Sequence, residues 1–420
     1  MSAFLLLMTM KCFETYYSRF NVAEAHITTP PDKDLRMIVV IPSYNEPDIT
    51  KSLRSLLDCS PTLFPVEIIV VVNAPENAPE PVVNQNLETL AQVEYIASHN
   101  TRNDIKIYPV YRPDLPKKHA GVGFARKIGM DEAVRRFDAI GYDGIIINFD
   151  ADSTCNVQYL SEIEKYFNNN PKIEGVSIYF EHPLQGSDYS PENYRAIVQY
   201  ELYLRYFVEA QRYVRFPYAY QTIGSAFAVR ASVYAAEGGM NRRQAGEDFY
   251  FLEKIITRNH YGEINTAQVY PSPRSSNRVP FGTGAAVTKL CKDNSDYLVY
   301  NPIAFEILKQ FFLTAINLLD NRKPATVPIL EEFLTANSFY SKTDGMIENS
   351  ASERTFLQRF FTWFDAFRMI KFLNFAHEEF INKVPVELAA GELAAKMRVS
   401  NIPTDTIGLL KWYRDKAKNR

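Results

Sequence analysis

Short apolar runs alternate with longer amphipathic stretches from Arg36 to about Val269. Continuous apolar strands separated by amphipathic helices indicate βαβ units. The sequence therefore predicts an α/β fold with a mostly parallel sheet flanked by helices, in which ligands bind beyond the carboxyl ends of the strands. Buried strands are predicted at Met37–Ile41, Glu67–Asn73, Ile105–Tyr111, Gly144–Asp150 and Gly175–Phe180, and helices at Asp48–Asp58, Val82–Ser98, Ala120–Phe137 and Val157–Asn168.

Helical patterns dominate the rest of the chain, where strand signals fade from about Tyr297 onward. A tyrosine-rich helix at Glu192–Phe216 either packs in a core or forms a wall for a sugar ring or lipid acceptor. We expect three regions: an N-terminal helical or irregular segment (residues 1–35), an α/β domain (36–290) and a helical C-terminal region (291–420). Later helices are predicted at Pro302–Leu318, Glu353–Asn382 and Thr406–Lys418, with a loop at Asn321–Pro328.

The composition is that of a folded globular protein, with 46% hydrophobic and 23% charged residues. A net charge of −3 does not favour a nucleic-acid partner. The 26 Tyr and 28 Phe residues suit a large core and also supply rings on which a planar or sugar ligand stacks.

The cysteines and the N-terminal segment bear on location. Four widely spaced cysteines, without metal-binding spacing, favour a reducing compartment over a disulfide framework. The start MSAFLLLMTMK has an apolar stretch too short to cross a bilayer, and it lacks the basic leader and cleavage site of a secretory signal. We expect a cytoplasmic protein without a membrane-spanning segment. A peripheral contact with the inner membrane face is the alternative interpretation.

Polar residues follow the first two predicted strands. Pro42 ends the first, and Tyr44 and Glu46 would project over the sheet edge, where a ring and a carboxylate suit a planar base. The alternative is a turn that starts a helix, with Asp48 as its N-cap. Asn73 ends the second strand and is either a ligand contact or a turn former.

A basic, glycine-containing segment runs from Lys117 to Ala133. Small residues let the backbone approach a ligand, a helix N-terminus favours anions, and Arg126 could grip a phosphate. The dinucleotide fingerprint is absent because Arg126 stands where its third glycine belongs. A solvated basic helix face is the alternative.

Asp150 and Asp152 end the fourth predicted strand, in the stretch NFDADS. Alternate residues of an extended chain point the same way, so both carboxylates could face one cation. Oxygen ligands of this kind suit Mg²⁺ or Mn²⁺, which would also bind substrate phosphates. The alternative is a pair of turn residues that end the strand.

Two further segments carry candidate charges. Glu247 and Asp248 begin an amphipathic helix, where either the helix dipole favours them or one of them is a general base. Downstream, Arg274 and Arg278 lie in a glycine-containing loop, which is either a cationic cover for a phosphate or an ordinary surface loop.

Taken in order, six segments resemble the family 2 glycosyltransferases with the GT-A fold, over roughly Arg36 to Gly284. The segments are VVIPSYNE, a second strand ending in a polar residue, GVGFARKIGMDEA, NFDADS, IGSAFAVR and GEDFYFLEKI. The resemblance identifies residues 36–290 as a GT-A glycosyltransferase domain. It implies a hexosyltransferase-type enzyme that moves a sugar from a UDP-, GDP- or dTDP-linked donor to an acceptor hydroxyl, with inversion and a divalent cation. The acceptor would be a glycan, a lipid-linked molecule or a small molecule.

The resemblance also implies roles for individual residues. Asp248 matches the family's general base, with Glu247 beside it, while Asp150 and Asp152 match its metal and diphosphate motif. The implied donor-binding residues are Pro42, Tyr44, Glu46, Asn73, Arg126, Asp150, Gly224, Ser225, Arg274 and Arg278. Asn73 departs from the family's usual aspartate, which leaves base preference open. His260 precedes the position of the family's histidine ligand, so we do not assign it to the metal.

Two other functions compete with this one. A sugar-phosphate nucleotidyltransferase uses a similar sheet but usually has a GGxGTR loop where this chain has PSYNEPD. A non-catalytic nucleotide-sugar-binding scaffold would not need the carboxylates of Asp150, Asp152 and Asp248.

Overall fold

The computed structural model describes residues 3–20, 22, 25–243, 246–276, 282–293, 295–320, 322–398 and 401–420, with side chains from residue 11 onward. Its internal contacts divide the chain into two compact units. The first comprises Met1–Tyr189, Thr222–Ala285 and Ala417–Arg420, and the second comprises Ser190–Gln221 and Ala286–Lys416.

An eight-stranded mixed sheet forms the centre of the first unit. Its strands are β1 (Met37–Ser43), β2 (Val66–Pro75), β3 (Ile105–Leu115), β4 (Ile145–Asn148), β5 (Thr154–Cys155), β6 (Gly175–Phe180), β7 (Phe227–Arg230) and β8 (Tyr261–Tyr270). The spatial order is β3-β2-β1-β4-β7-β6-β8-β5. Strands β3, β2, β1 and β4 run parallel, as do β6 and β8, whereas β7 is antiparallel to both of its neighbours.

The helices of this unit connect and cover the strands. They are α1 (Ala3–Phe20), α2 (Thr50–Leu57), α3 (Glu80–His99), α4 (Val122–Ala139), α5 (Tyr159–Asn169), α7 (Ala231–Ala236) and α8 (Glu247–Ile256). Helix α4 packs on β1 and β2, α3 on β2 and β3, and α5 on β8. Every residue of β1 and β4 is buried, as expected for parallel strands covered on both faces.

The predicted α/β class is therefore confirmed, and each predicted strand of the sheet forms. Strand β6 has its predicted bounds, while β1, β2 and β3 each extend two to four residues past their predicted ends because the following residues continue the ladder. Strands β1 and β4 are parallel neighbours, so the residues after Ser43 and after Asn148 lie at the same edge. This edge holds the candidate site.

The second unit is helical. Its helices are α6 (Pro191–Tyr213), α9 (Thr283–Asp293, which begins in the first unit), α10 (Pro302–Thr314) with a 3-10 turn (Ala315–Asp320), α11 (Pro328–Ala336), α12 (Phe339–Glu348), α13 (Glu353–Trp363), α14 (Ala366–Glu379), α15 (Val386–Lys396) and α16 (Thr406–Lys418). A two-stranded sheet pairs β9 (Leu298–Val299) with β10 (Val384–Pro385). The second unit has an aromatic core in which four phenylalanine rings meet, those of Phe311, Phe312, Phe339 and Phe360.

One predicted helix of this unit is wrong. The run Glu353–Asn382 is two helices, because Asp365 starts a new one by accepting a hydrogen bond from the Arg368 backbone at 2.9 Å. The sequence pattern also missed α11, α12 and α15, which are short. The predicted domain boundaries at residues 35 and 290 stay predictions.

One segment of the described helices, Pro302–Asp320, is long and apolar enough to cross a membrane by length and composition. The core helix of a soluble protein has the same composition, and Phe305, Leu308 and Phe311 are buried within the second unit.

Candidate active site

Acidic residues from two different strand ends meet at one arginine. Glu46 follows β1, Asp152 follows β4, and Arg274 lies in the segment after β8. Arg274 Nη1 donates to Glu46 Oε1 at 3.0 Å, and its Nη2 donates to Glu46 Oε2 and lies 3.0 Å from Asp152 Oδ2. The structure thus brings together three of the predicted donor and metal residues.

The turn that carries Glu46 depends on helix α3. Asn45 has a left-handed backbone (φ 49°), and its N–H donates to Asn86 Oδ1 at 2.8 Å. Asn86 Nδ2 donates to the Asn73 carbonyl at 2.9 Å, and Thr89 Oγ1 donates to the Glu46 carbonyl at 2.8 Å. Asn86 and Thr89 are fully buried, so they hold the turn without facing a ligand. Sequence reasoning missed both, although polar side chains three apart on a buried helix face are a usable signal.

Arg126 joins the segment that follows β4 to the start of α8. Its side chain is buried, Nη2 donates to Asp150 Oδ1 at 2.6 Å, and Nη1 donates to Glu247 Oε1. Burial opposes the charge, but Asp150, Glu247 and Asp248 outweigh it and raise the arginine pKa above its usual value. The guanidinium therefore faces carboxylates in this structure. The predicted contact of Arg126 with a donor phosphate stays a prediction.

Two glycines allow this close packing. A Cβ on Gly224 would lie 2.5–2.8 Å from the guanidinium of Arg126, and a Cβ on Gly123 would meet the Arg243 carbonyl and come within 3.0 Å of Glu247 Cβ. The small residue of the IGSAF segment is thus required by a buried arginine, and the buried Ser225 follows it.

Glu247 and Asp248 are adjacent but differ in their surroundings. Glu247 is buried against Arg126, whereas Asp248 is half-buried and accepts a hydrogen bond from the Phe249 backbone at 2.8 Å. Burial raises the pKa of Glu247 to about 7, opposed by Arg126 and reinforced by Asp248. Burial likewise raises the pKa of Asp248. Glu247 and Asp248 therefore retain their protons more readily than free carboxyl groups do.

The strand edge has features that fit a divalent cation. Asp150 and Asp152 keep 34% and 25% of their side chains exposed. Mg²⁺ and Mn²⁺ are commonly held by one or two carboxylates, with substrate phosphates and water completing the set. Nearby, the buried Ser43 Oγ, Asn148 Oδ1 and Ser153 Oγ have no hydrogen-bond partner among the described residues. A polar ligand shell would satisfy such atoms. Within the described ranges, no group of three or more His, Cys, Asp or Glu residues forms a complete metal site.

The remaining candidates lie as follows. Pro42 is buried inside β1, Tyr44 is half-buried beyond its end, and Asn73 is buried in β2. Arg278 lies outside the described residues. His260 lies just before β8, with Nδ1 3.7 Å from Glu174 Oε1. The hypothesis that Asp48 is an N-cap is replaced by a neighbouring arrangement, in which Ile49 is the cap residue and Asp48 Oδ1 accepts from Thr50 N at 3.1 Å.

The chain was compared with known proteins. Residues 38–236 match the model of the family described as glycosyl transferase family 2. This range contains Glu46, Arg126, Asp150 and Asp152 and ends before Asp248. No curated protein in the comparison matches the chain.

Two solved structures illustrate the structural similarity. One is S. aureus TarS 1–349 in complex with UDP-GlcNAc, with 14% identity and a TM-score of 0.40 over 91% of this chain and 92% of that chain. The other is GalNAc-T7 with UDP, GalNAc and Mn²⁺, with 14% identity and a TM-score of 0.35 over 73% and 55% of the two chains. The family match covers the sheet edge where the carboxylates meet, and the chain therefore carries a domain of glycosyl transferase family 2 at residues 38–236.

Proposed function

We propose that the chain transfers a sugar from a nucleotide-diphosphate donor to an acceptor hydroxyl, with inversion at the anomeric carbon. The observation that carries this proposal is the meeting of Glu46, Asp150 and Asp152 with Arg126 and Arg274 at the carboxyl edge of β1 and β4. Ligands of parallel α/β sheets bind at such an edge.

A divalent cation is part of the proposal. Asp150 and Asp152 would hold Mg²⁺ or Mn²⁺, whose charge would stabilise the departing diphosphate. Three carboxylates at this edge face only two arginines, so the local charge is negative. A negative local charge favours binding of a cation over binding of a bare phosphate. The carboxylates are those of Glu46, Asp150 and Asp152.

Arg126 and Arg274 have different roles in this proposal. Arg126 is buried between Asp150 and Glu247, so it fixes the orientation of Asp150. Arg274 is 20% exposed and already contacts both Glu46 and Asp152, so it is placed to neutralise negative charge that develops on the donor side.

Asp248 is the proposed general base. It is half-buried and therefore reachable by an acceptor, whereas the neighbouring Glu247 is fully buried with its carboxylate on Arg126. The raised pKa of Asp248 brings its basicity closer to what proton abstraction near neutral pH requires. Asp248 would take the hydroxyl proton as the acceptor oxygen attacks the sugar from the face opposite the diphosphate. A single displacement of this kind inverts the anomeric centre.

The proposal also covers the class of acceptor and the cellular location of the reaction. We propose a glycan, a lipid-linked molecule or a small molecule as the acceptor, and the cytoplasmic side of the cell, with or without peripheral membrane contact, as the location.

The test is a panel of UDP-, GDP- and dTDP-sugars with Mn²⁺, in which nucleotide release and binding are both measured. Release of one nucleotide diphosphate supports the transferase. Binding without turnover supports a scaffold. A separate incubation with a nucleoside triphosphate and a sugar phosphate tests the nucleotidyltransferase, which would release pyrophosphate.

Single substitutions test the roles proposed for Asp248 and Asp152. Asp248→Asn should keep donor affinity while turnover falls by about 100-fold or more, because a general base typically contributes that much. Near-normal turnover would rule out the base role. Asp152→Ala should lose the Mn²⁺-dependent part of nucleotide affinity, and unchanged affinity would remove the metal assignment. Asp344→Asn, at an exposed aspartate of the second unit, is the control and should change neither quantity.

A further inference from the structure

Two cysteines that are far apart in sequence meet beside the candidate site. Cys59 lies just after α2 and Cys155 lies in β5, 96 positions later, yet their Sγ atoms are 3.8 Å apart. The other two cysteines, Cys12 and Cys291, do not share this arrangement.

The backbone around the pair is held together by hydrogen bonds. Both thiols lie near the Ser55 carbonyl oxygen, Cys59 Sγ at 3.4 Å and Cys155 Sγ at 3.6 Å. One residue past Cys59, the N–H of Ser60 donates to the Val157 carbonyl at 2.7 Å. The two segments therefore stay close, and only a small approach separates the thiols from the S–S bond length of about 2 Å.

The two sulfur atoms differ in solvent exposure and in the direction of their pKa shifts. Cys59 is 2% exposed, while Cys155 is half-buried and gives a water-sized oxidant access to the pair. The pKa of Cys59 is lowered by the hydrogen bond with Cys155, with a smaller contribution from the Arg102 charge. Burial raises the pKa of Cys155. Arg102 also fixes the end of α2, since Nη1 donates to the carbonyls of Leu57 at 2.8 Å and Cys59 at 2.6 Å.

We propose that Cys59 and Cys155 form a redox modification site that closes to a reversible disulfide with a peroxide-class oxidant. The Cys59 thiolate attacks one peroxide oxygen, the O–O bond breaks, and hydroxide leaves and takes up a proton to give water. The Cys155 sulfur then attacks the sulfenic sulfur, the S–O bond breaks, and a second water leaves with the Cys155 proton. Two thiols are oxidised and one peroxide is reduced to two waters.

The position of the pair ties it to the candidate site. Cys155 follows Asp152 by three residues, and Ser52 Oγ of α2 donates to the Asp150 carbonyl at 3.4 Å. A disulfide would therefore fasten α2 to the segment that follows the two aspartates. The proposal goes beyond sugar transfer and holds or fails independently of it.

The experiment exposes the reduced, full-length protein to hydrogen peroxide, blocks the remaining thiols and maps the peptides without reduction. We expect a linked peptide containing Cys59 and Cys155, a fall in free thiols from four to two, and full reversal by dithiothreitol. The pair should react about tenfold faster than Cys12 or Cys291, as expected for a stabilised thiolate with a neighbouring resolving thiol.

Cys12→Ser and Cys291→Ser should retain the linked peptide, whereas Cys59→Ser and Cys155→Ser should lose it. The wild-type peptide map decides the question even if the last two variants fold poorly. The proposal is overturned if Cys12 or Cys291 reacts first, if disulfides join different molecules, or if Cys59 and Cys155 reach sulfinic acid without linking.

Discussion

At the scale of the residue, Arg126 has the most consequential contacts of the candidate site. Its buried guanidinium forms ion pairs with both Asp150 and Glu247. A non-polar replacement therefore leaves the buried Glu247 and the partly buried Asp150 without this partner. We expect Arg126→Met to lower the free energy of unfolding by about 3 kcal/mol at pH 8, the usual cost of breaking a buried ion pair from one side. Urea unfolding measures this change. Arg112→Met, at the half-buried partner of the exposed Asp114, should cost less than about 1 kcal/mol, and equal losses in the two variants would contradict the assignment.

Glu247 should make stability depend on pH. Its pKa in the folded chain is about 7, above its ordinary value of 4.5, so between these values the folded state keeps a proton that the unfolded state has released. The contribution of Glu247 to the stability of the wild type should therefore fall as pH rises from about 4.5 to about 7, and Glu247→Gln should lack this contribution.

The measurement is urea unfolding of both proteins across that pH range. The stability of Glu247→Gln relative to the wild type should rise with pH up to about 7 and then level off. Glu332→Gln, at an exposed glutamate of α11, is the control and should follow the wild type. Parallel curves for Glu247→Gln and the wild type would show that burial does not raise this pKa.

At the scale of the element, helix α3 supports the turn after β1. Asn86 is fully buried and bonds the Asn45 N–H and the carbonyl of the buried Asn73, so Asn86→Ala removes a side-chain partner from both backbone groups. We expect a loss of about 2 kcal/mol in unfolding free energy, together with weaker nucleotide binding through displacement of Glu46. Denaturation and calorimetry check the two effects. Asn84→Ala, on the exposed face of the same helix, should alter neither, and an equal effect at both positions would contradict the supporting role.

Elements were predictable from sequence where burial leaves a local pattern. Strands β1 and β4 are buried throughout and β2 at every residue but its last, so the three appear in the sequence as nearly continuous apolar runs. The break at Asp365 was not recognised, because the apolar spacing continues across it and only the capping contact with Arg368 ends the pattern. Short helices such as α11 carry too few turns for their periodicity to stand out.

At the scale of the whole molecule, the order of motifs placed the candidate residues at one sheet edge, because topology dictates where strand ends meet. The exact partners were not predictable. Arg126 and Glu247 are 121 positions apart, and Arg274 and Glu46 are 228 apart, so no local pattern links them. The contact between Cys59 and Cys155 was not predictable for the same reason, and their wide spacing had argued against a disulfide framework.

Oxidation of Cys59 and Cys155 should stabilise the first unit. A Cys59–Cys155 disulfide closes a loop that contains β2, α3, β3, α4 and β4, so it restricts the unfolded chain over much of the sheet. Loop-closure entropy alone predicts about 5 kcal/mol for a loop of this length, and native disulfides typically contribute about 2–4 kcal/mol. We therefore expect oxidation to raise the free energy of unfolding by about 2–4 kcal/mol. Urea unfolding of peroxide-treated, thiol-blocked protein against the reduced form measures this gain. Cys291→Ser should show the gain and Cys59→Ser should not. Linked protein with an unchanged midpoint would mean that closing the 3.8 Å gap strains the native state by as much as it restricts the unfolded one.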